Sequence, residues 1–139
     1  MNIKILSIGV VKKEDKILLR KKPEGSPPYQ ETWYIFGGAV NEENTDPDEA
    51  LKQIVLSQTG VEISVAEHIG WDTEVKQDHD GEKKLFIYLD CICEYTKGDL
   101  RVGEGIEKLE WVHIDDLENY DLVPPSVKLF KKLGYLRQS

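Results

Sequence analysis

Two stretches of this chain, Trp33-Tyr34-Ile35-Phe36-Gly37-Gly38 and Gln58-Thr59-Gly60-Val61, frame the segment that decides its fold. The first stretch is an aromatic and apolar run that ends in a double glycine. The second stretch closes a helix, because Gly60 supplies the left-handed residue that commonly stops one. The frame therefore predicts a helix between the double glycine and Gly60.

The start of that helix is marked by the sequence Asp46-Pro47-Asp48-Glu49. Asp46 suits the N-cap, Pro47 suits the first helical position, and Glu49 completes a capping box. We therefore predict a helix from Pro47 to Gln58. Four positions along it are spaced at i, i+3, i+4 and i+7, and three of them are apolar, so one face should pack against a core. These positions are Leu51, Ile54, Val55 and Gln58.

Apolar and β-branched runs predict strands on both sides of the helix. The runs cover residues 3–12, 16–20, 61–66, 69–75, 84–95 and 109–114. Proline and glycine interrupt the chain at 23–28, which predicts a surface loop that forms a rim or lid. A last helix is expected to begin at Pro124. Its apolar stripe consists of Val127, Phe130 and Leu133.

The size of the chain, 139 residues, suits one domain that covers residues 1–139. No apolar run approaches the roughly 18 residues of a membrane span, and the first residues lack the apolar core of a signal peptide. We therefore expect a cytoplasmic protein without a membrane partner. The net charge of -8 disfavours binding of extended nucleic acid, but it does not exclude binding of a small ligand.

The two cysteines, Cys91 and Cys93, stand two residues apart in a strand-like run. They should point to the same face of a sheet as structural thiols, and two such cysteines do not indicate a disulfide framework. The three histidines, His68, His79 and His113, fall in separate segments without the spacing of zinc ligands. A zinc site is therefore not expected.

The whole chain resembles the Nudix family, whose motif reads Gly, five residues, Glu, seven residues, then Arg-Glu-apolar-x-Glu-Glu-x-Gly-apolar. Gly37-Gly38 and Gly60-Val61 stand at the two ends of this motif. Trp111 in a late strand-like run and the acidic Ile114-Asp115-Asp116-Leu117 after it extend the resemblance. The resemblance implies an α/β fold, an α/β/α sandwich with a mixed β-sheet in a single domain.

The charged residues of the motif are missing from this chain. Counting back from Gly60 places Ile54, Ser57 and Gln58 where the family has the glutamates that coordinate magnesium or manganese. One of those glutamates commonly helps to activate the attacking water in the family. None of the replacements supplies the negative charge that magnesium prefers. We therefore predict a retained frame with impaired hydrolysis, no assignable catalytic residue and no firmly implied metal.

The segment from Gly38 to Gly60 is also one residue longer than the family pattern. The remaining glutamate of the motif maps to Asn44 if the count starts at Gly38, or to Glu43 if it starts one residue earlier. Gln53 stands where the family has the arginine that usually pairs with this glutamate. An amide-amide hydrogen bond between Asn44 and Gln53 is therefore expected to replace the ion pair, so that no buried charge loses its partner.

A basic run at the end of the second strand offers a way to hold phosphate without a metal. Arg20 can grip phosphate oxygens in bidentate fashion, whereas Lys22 acts as a point charge. The predicted ligand-binding set adds residues of the glycine frame, of the helix end and of the late loop. The set is Arg20, Lys22, Gly37, Gly38, Ser57, Gln58 and Glu104.

Three functions stay open at this point. The preferred one is binding of a nucleotide or another diphosphate-containing small molecule by a catalytically impaired protein. The second is a divergent Nudix hydrolase that cleaves a phosphoanhydride with magnesium or manganese held by displaced acids. These acids would be Glu42 or Glu43 together with Glu104 or Glu107. The third is a protein-interaction scaffold with an exposed apolar patch and a partner, or a homodimer.

The aromatic residues do not identify the ligand. Trp33, Trp71 and Trp111 are expected to be buried because they bring large apolar surfaces. Tyr34 or Trp71 could instead stack on a base. Neither alternative selects one base over another, or a nucleotide over a sugar phosphate.

Overall fold

A seven-stranded mixed sheet organises the computed structural model, which describes residues 1–138. Its strands are β1 (Asn2–Lys13), β2 (Lys16–Lys21), β3 (Trp33–Tyr34), β4 (Phe36–Val40), β5 (Glu62–Gln77), β6 (Lys83–Lys97) and β7 (Lys108–His113). The helices are α1 (Pro47–Thr59) and α2 (Pro124–Lys132), and a 3₁₀ helix spans Ile114–Asn119. The predicted closing and central helices are both present.

Hydrogen bonds place the strands in the order β3-β2-β1-β6-β5. The central strand, β1, pairs parallel with β6 along most of its length. Its other edge pairs antiparallel with β4 and β2, and β2 also pairs with β7. One parallel pair among antiparallel ones confirms the mixed sheet that the resemblance implies.

The two helices pack on opposite faces of the sheet. Neighbouring residues of a strand point to opposite faces, so Val10 and Val11 of β1 enter different cores. Val10 packs in the core that contains Phe130 of α2, whereas Val11 packs in the core that contains Leu51 of α1. This arrangement confirms the predicted α/β/α sandwich.

Helix α1 begins and ends where the sequence indicates. The Asp46 carboxylate accepts hydrogen bonds from the backbone amides of Asp48 and Glu49, and Gly60 takes the left-handed conformation with φ of 76°. The helix continues one residue past the predicted end, to Thr59. The Thr59 hydroxyl donates to the Val55 carbonyl and accepts from the Val61 amide. Local chemistry therefore fixes both ends of α1.

The close approach of α1 to β4 depends on Gly38. A Cβ atom placed on Gly38 would lie 2.5 Å from the carbonyl oxygen of Ala50, which is closer than such atoms approach in proteins. Only glycine lets the strand lie directly against the helix backbone at this point. The double glycine thus fixes the distance between the strand and the helix.

Two expectations are wrong in detail, whereas the apolar stripe of the last helix is confirmed. The predicted strands at 61–66 and 69–75 form one long strand, β5, because the chain absorbs the irregular region with bulges near Ala66 and Ile69. Helix α2 ends at Lys132, so Leu133 lies just beyond it and still packs on the core. Trp71 is 70% exposed, since β5 lies at the edge of the sheet and this side chain points away from α2.

The expectation for the cysteines is confirmed. Cys91 and Cys93 are both free and buried, and their sulfur atoms lie 3.8 Å apart on the α1 face of the sheet. Among residues 1–138, no helix is long and apolar enough to cross a membrane.

Candidate functional site

A cavity of about 480 Å³ opens between the sheet and the start of α2. Its floor consists of alternate side chains from three adjacent strands, because every second residue of a strand faces the same side. These side chains are Lys4, Leu6 and Ile8 of β1, Phe86, Tyr88 and Asp90 of β6, and Asp72, Glu74 and Lys76 of β5. Residues 123–126 and 128–129 form the opposite wall, and Gly37 and Gln58 close one corner.

Two cations without a carboxylate partner lie on the β2 side of this cavity. Arg20 and Lys22 make no ion pair with any carboxylate of residues 1–138, whereas Lys21 between them pairs with Glu107 at 3.8 Å. The Arg20 Nε atom donates to the Ile35 carbonyl at 2.9 Å. The ammonium of Lys22 lies 4.4 Å from the centre of the Tyr34 ring. Positive charge is therefore fixed at this wall.

The surroundings of these cations penalise their charge. Burial lowers the pKa of Lys22 to about 8, and repulsion by Arg20 and Lys76 adds to the effect. Burial likewise lowers the pKa of Arg20 to about 10. An anion that enters the cavity would relieve both effects, because an opposite charge nearby favours the protonated form.

The loop at 22–32 closes over the rim through Tyr29. Its hydroxyl donates to Glu74 of β5 at 2.5 Å and accepts from Lys76 at 2.7 Å. The hydroxyl of Tyr88 donates to the same Glu74 oxygen at 2.6 Å. Since Pro28 and Tyr29 line the cavity, this loop forms the rim that its proline and glycine content suggests.

The end of α1 contributes one polar side chain to the cavity. Gln58 lines the corner beside Gly37, whereas Ser57 is exposed and does not. From the turn that precedes α1, the Asn44 amide donates to Gln53 of the helix at 3.2 Å. The expected amide-amide pair is confirmed, and it uses Asn44 and not Glu43.

The residues present on α1 do not fit a divalent metal ion. Ile54, Ser57 and Gln58 offer an alkyl group, a hydroxyl and an amide in place of carboxylates. Across residues 1–138, no three His, Cys, Asp or Glu side chains converge closely enough to hold a metal. Glu104 is exposed in its loop, and Glu107 faces Lys21. Neither Glu104 nor Glu107 lies in the cavity lining.

An acid pair, Asp72 and Asp90, lies on the floor beside α2. Asp72 forms ion pairs with Lys128 at 3.2 Å and Lys132 at 3.4 Å. Asp90 is only 3% exposed and shares a hydrogen bond with Asp72. Burial, followed by the neighbouring Asp72, raises the pKa of Asp90 to about 7. The pKa of Asp72 is lowered while that of Asp90 is raised, so the two carboxyl groups titrate as a pair.

Three buried polar atoms have no hydrogen-bond partner among the described residues. They are the Tyr34 hydroxyl, Gln58 Oε1 and Asp90 Oδ2. All three side chains line the same cavity. A buried polar atom without a partner is unfavourable, so these three atoms indicate a place where a polar ligand or ordered water completes the structure.

The structure brings together some of the predicted ligand-binding residues and leaves out others. Arg20, Lys22, Gly37 and Gln58 line the cavity. Gly38, Ser57 and Glu104 do not line it: Gly38 packs on Ala50, and the other two are exposed.

The strand residues on the floor were not predicted. Asp72, Glu74 and Lys76 alternate along β5 on one face, and this spacing of charged residues was the available signal. The signal for Asp90 is weaker, because its place beside Asp72 depends on the pairing of β5 with β6.

Sequence comparison identifies a known domain in most of the chain. The family model for the NUDIX domain matches residues 4–133. A protein named nucleoside triphosphatase NudI from Klebsiella pneumoniae (strain 342) is 29% identical over 119 residues, which cover 81% of this chain and 84% of that protein. The nucleoside triphosphatase NudI of Escherichia coli (strain K12 / DH10B) is 26% identical over 133 residues, covering 91% and 94%.

Solved structures show the same fold at lower identity. The solution structure of the E. coli ORF135 protein aligns with a TM-score of 0.73 at 20% identity, covering 99% of this chain and 92% of that one. A NUDIX hydrolase from Nitrosomonas europaea aligns with a TM-score of 0.75 at 15% identity, covering 96% and 89%. These similarities establish the fold.

Proposed function

The chain belongs to the NUDIX family, and from that premise we propose that its cavity binds a nucleotide or another diphosphate-containing small molecule without a bound metal ion. Arg20 and Lys22 hold the phosphates in this proposal, and hydrolysis is impaired. The observation that carries it is a cavity with two half-buried cations that have no carboxylate partner in residues 1–138. An anionic ligand supplies the missing negative charge.

Arg20 is prepared for a bidentate contact. Its Nε atom is held by the Ile35 carbonyl, and its guanidinium lies 5.2 Å from the Tyr34 ring centre and 5.5 Å from that of Phe36. The plane of the guanidinium is therefore fixed while its terminal nitrogens stay available for phosphate oxygens. A donor that is already oriented loses little entropy when the ligand binds.

The floor of the cavity suits the non-phosphate part of the ligand. Leu6, Ile8, Phe86 and Tyr88 provide an apolar and aromatic surface next to charged groups. Such a surface accepts the face of a planar ring, and the polar atoms around it fix the orientation of the ring. A nucleotide combines a planar ring with phosphates and therefore matches both parts of the cavity.

Impaired hydrolysis follows from the composition of the α1 face. Ile54, Ser57 and Gln58 hold no negative charge, and neither an amide nor an alkyl group accepts a proton from water near neutral pH. The face that holds metal and activates water in the family thus offers no group for either task. Binding residues are present and catalytic groups of the family type are missing, which favours a sensor or binding module.

The alternative is a divergent hydrolase that cleaves a phosphoanhydride. The names of the NudI relatives favour it, because nucleoside triphosphatases 26–29% identical to this chain cover most of its length. A metal ion that arrives with the substrate phosphates would then be held by one acid of the loop before α1, Glu42 or Glu43, together with Glu104 or Glu107. The exposure of these acids and their absence from the cavity lining weaken this alternative.

A panel of nucleoside diphosphates and dinucleotides tests the proposal, with thermal stability and product measured in the same samples. We expect ligands to raise Tm in the presence of a chelator, without product. Arg20→Met and Lys22→Met should each weaken binding by about 10-fold to 100-fold, because a charged hydrogen bond to phosphate is lost. Arg137→Met and Lys97→Met are matched controls, since both residues are exposed and outside the cavity lining.

Two results would reject the proposal. One is the absence of any ligand-induced rise in Tm across the whole panel, with or without manganese. The other is rapid metal-dependent turnover that disappears in Glu104→Gln or Glu43→Gln, which would establish the hydrolase alternative instead.

A further inference from the structure

The Asp90 carboxyl stands apart from the phosphate-binding cations and has its own chemistry. It lies on β6, with β1 between it and the strand that carries Arg20. The charged groups around it are Asp72 on β5 and Lys128 and Lys132 on α2. Both lysines are engaged by Asp72, so they stabilise the acid pair and not a phosphate.

Asp90 Oδ2 is an acceptor without a donor. The atom is buried and has no hydrogen-bond partner in residues 1–138, and its side chain lines the cavity. The Lys132 ammonium is 3.9 Å away, which is too far for a hydrogen bond. In the ionised carboxylate, Oδ2 has free lone pairs for a donor that comes from the cavity.

We propose that Asp90 is a specificity-determining residue that accepts a hydrogen bond from the lactam N–H of a heterocyclic base. The inference rests on the proposed nucleotide binding and adds the class of base that the cavity selects. Uracil-type and hypoxanthine-type rings carry such an N–H, whereas rings with a bare nitrogen at this position carry only an acceptor. A bare nitrogen would meet Oδ2 as one acceptor facing another and would leave both without a donor.

The surroundings favour a ring over a sugar hydroxyl as the donor. Ile8 and Tyr88 flank Asp90 on the floor, and Leu129 of α2 also lines the cavity. These side chains add apolar surface next to Oδ2, and such surface suits a flat ring better than a hydrated sugar hydroxyl. Lys128 of α2 lines the same wall, where its ammonium pairs with Asp72 at 3.2 Å.

Two ligand pairs differ in the lactam group, its N–H together with the adjoining carbonyl, without adding bulk. Inosine diphosphate is compared with purine riboside diphosphate, and uridine diphosphate with the diphosphate of pyrimidin-2-one riboside. In each pair the second ligand lacks the lactam and is not larger. Affinities are measured by calorimetry for the wild-type protein and for Asp90→Leu and Asp90→Asn, with Asp116→Leu as an exposed control.

The wild-type protein should prefer the lactam member of at least one pair by about 10-fold to 100-fold. Asp90→Leu should reduce this preference to about 3-fold or less, because its side chain has a similar volume and no acceptor. Asp90→Asn should retain the preference, since its amide can donate to Asp72 while its carbonyl still accepts from the ligand. Asp116→Leu should behave like the wild-type protein.

Equal wild-type affinities within both pairs would overturn the inference whatever the variants do. A full preference in Asp90→Leu would also overturn it, if this variant has the circular dichroism spectrum of the wild-type protein. In either case nucleotides still bind, and the proposed function stands. If no nucleotide of the panel binds the wild-type protein, both the inference and the proposed function fail.

Discussion

Helix α1 and the strand floor approach the same cavity but differ in their charge. The helix presents Ile54, Ser57 and Gln58 at positions where the family motif has carboxylates. The floor and the neighbouring β2 contribute at least eight ionisable side chains to the lining. These include Lys4, Arg20, Lys22, Asp72, Glu74, Lys76, Tyr88 and Asp90.

Under the proposed function, this difference separates the residues that bind the ligand from the helix face that lacks catalytic groups. In the family the helix face carries the metal and the water chemistry, whereas a ligand can be held by residues on other elements. A chain can therefore lose the charges of one element without losing the binding site, because the binding groups come from strands with their own packing. The following predictions change one side of the cavity at a time and proceed from the largest expected effect to the smallest.

Restoring carboxylates to α1 should remove the charge difference between this helix and the strand floor. We expect the combined changes Ile54→Glu, Ser57→Glu and Gln58→Glu to produce metal-dependent phosphoanhydride cleavage at least about 100-fold above the wild-type rate, because a general base and anionic metal ligands return. Product formation with manganese, and its loss with a chelator, is the measurement. Ile54→Gln with Ser57→Gln is a control of similar size without charge. If the wild-type protein cleaves the substrate as fast as the restored variant, the charge difference between α1 and the floor does not affect catalysis.

The contact between α1 and β4 should be sensitive to a single methyl group. Gly38→Ala is expected to lower the free energy of unfolding by about 3 kcal/mol, since the new Cβ would meet the Ala50 backbone at 2.5 Å. Gly37→Ala is the matched control, because its Cβ would meet only the end of the flexible Ile8 side chain. We expect a loss of about 1 kcal/mol or less there. Urea denaturation measures both, and equal losses would contradict the assigned close approach.

The cationic wall should make ligand affinity depend on pH. Because the pKa of Lys22 is lowered to about 8, its charge is complete below that pH and is lost above it. Affinity for a nucleoside diphosphate should therefore fall by about 10-fold between pH 7 and pH 9.5. Lys22→Arg should flatten the profile, since arginine keeps its proton in this range. Affinities are measured by calorimetry across the pH series. The same decrease of affinity with pH in the wild-type protein and in Lys22→Arg would contradict the role of Lys22.

The hydrogen bond between the Asn44 and Gln53 side chains should contribute least to stability. The hydrogen bond between Asn44 and Gln53 is exposed, so we expect a coupling free energy of about 0.5 kcal/mol. A double-mutant cycle with Asn44→Ala, Gln53→Ala and the combined variant measures it by urea denaturation. A coupling above about 2 kcal/mol would mean that this pair supports the helix far more than a neutral surface hydrogen bond does.

Much of α1 could be predicted from sequence because its determinants are local. Asp46 and Gly60 act within a few residues of the helix ends, and the Asn44–Gln53 pair is defined by a short spacing. The location of Arg20 and Lys22 at the end of β2 could also be predicted, because a short apolar run marks this strand in the sequence.

The acid pair could not be predicted in the same way. Asp72 and Asp90 meet only through the register of β5 and β6, and two bulges in β5 shift that register. A shift of one residue would turn Asp72 away from the cavity, so composition and periodicity alone do not place it. The partnerless state of Asp90 Oδ2 depends on α2 as well, because Lys132 approaches it without reaching hydrogen-bond distance.

The parallel pairing of β1 with β6 has a consequence for how the cavity is assembled in time. Asn2 pairs with Lys84 and Lys12 with Glu94, so the two central strands of the floor come from distant parts of the chain. Contacts between residues far apart in sequence form slowly, since a long loop must first be closed. The cavity should therefore be absent from early folding intermediates that already contain α1, and ligands should begin to stabilise the chain only after β6 has docked.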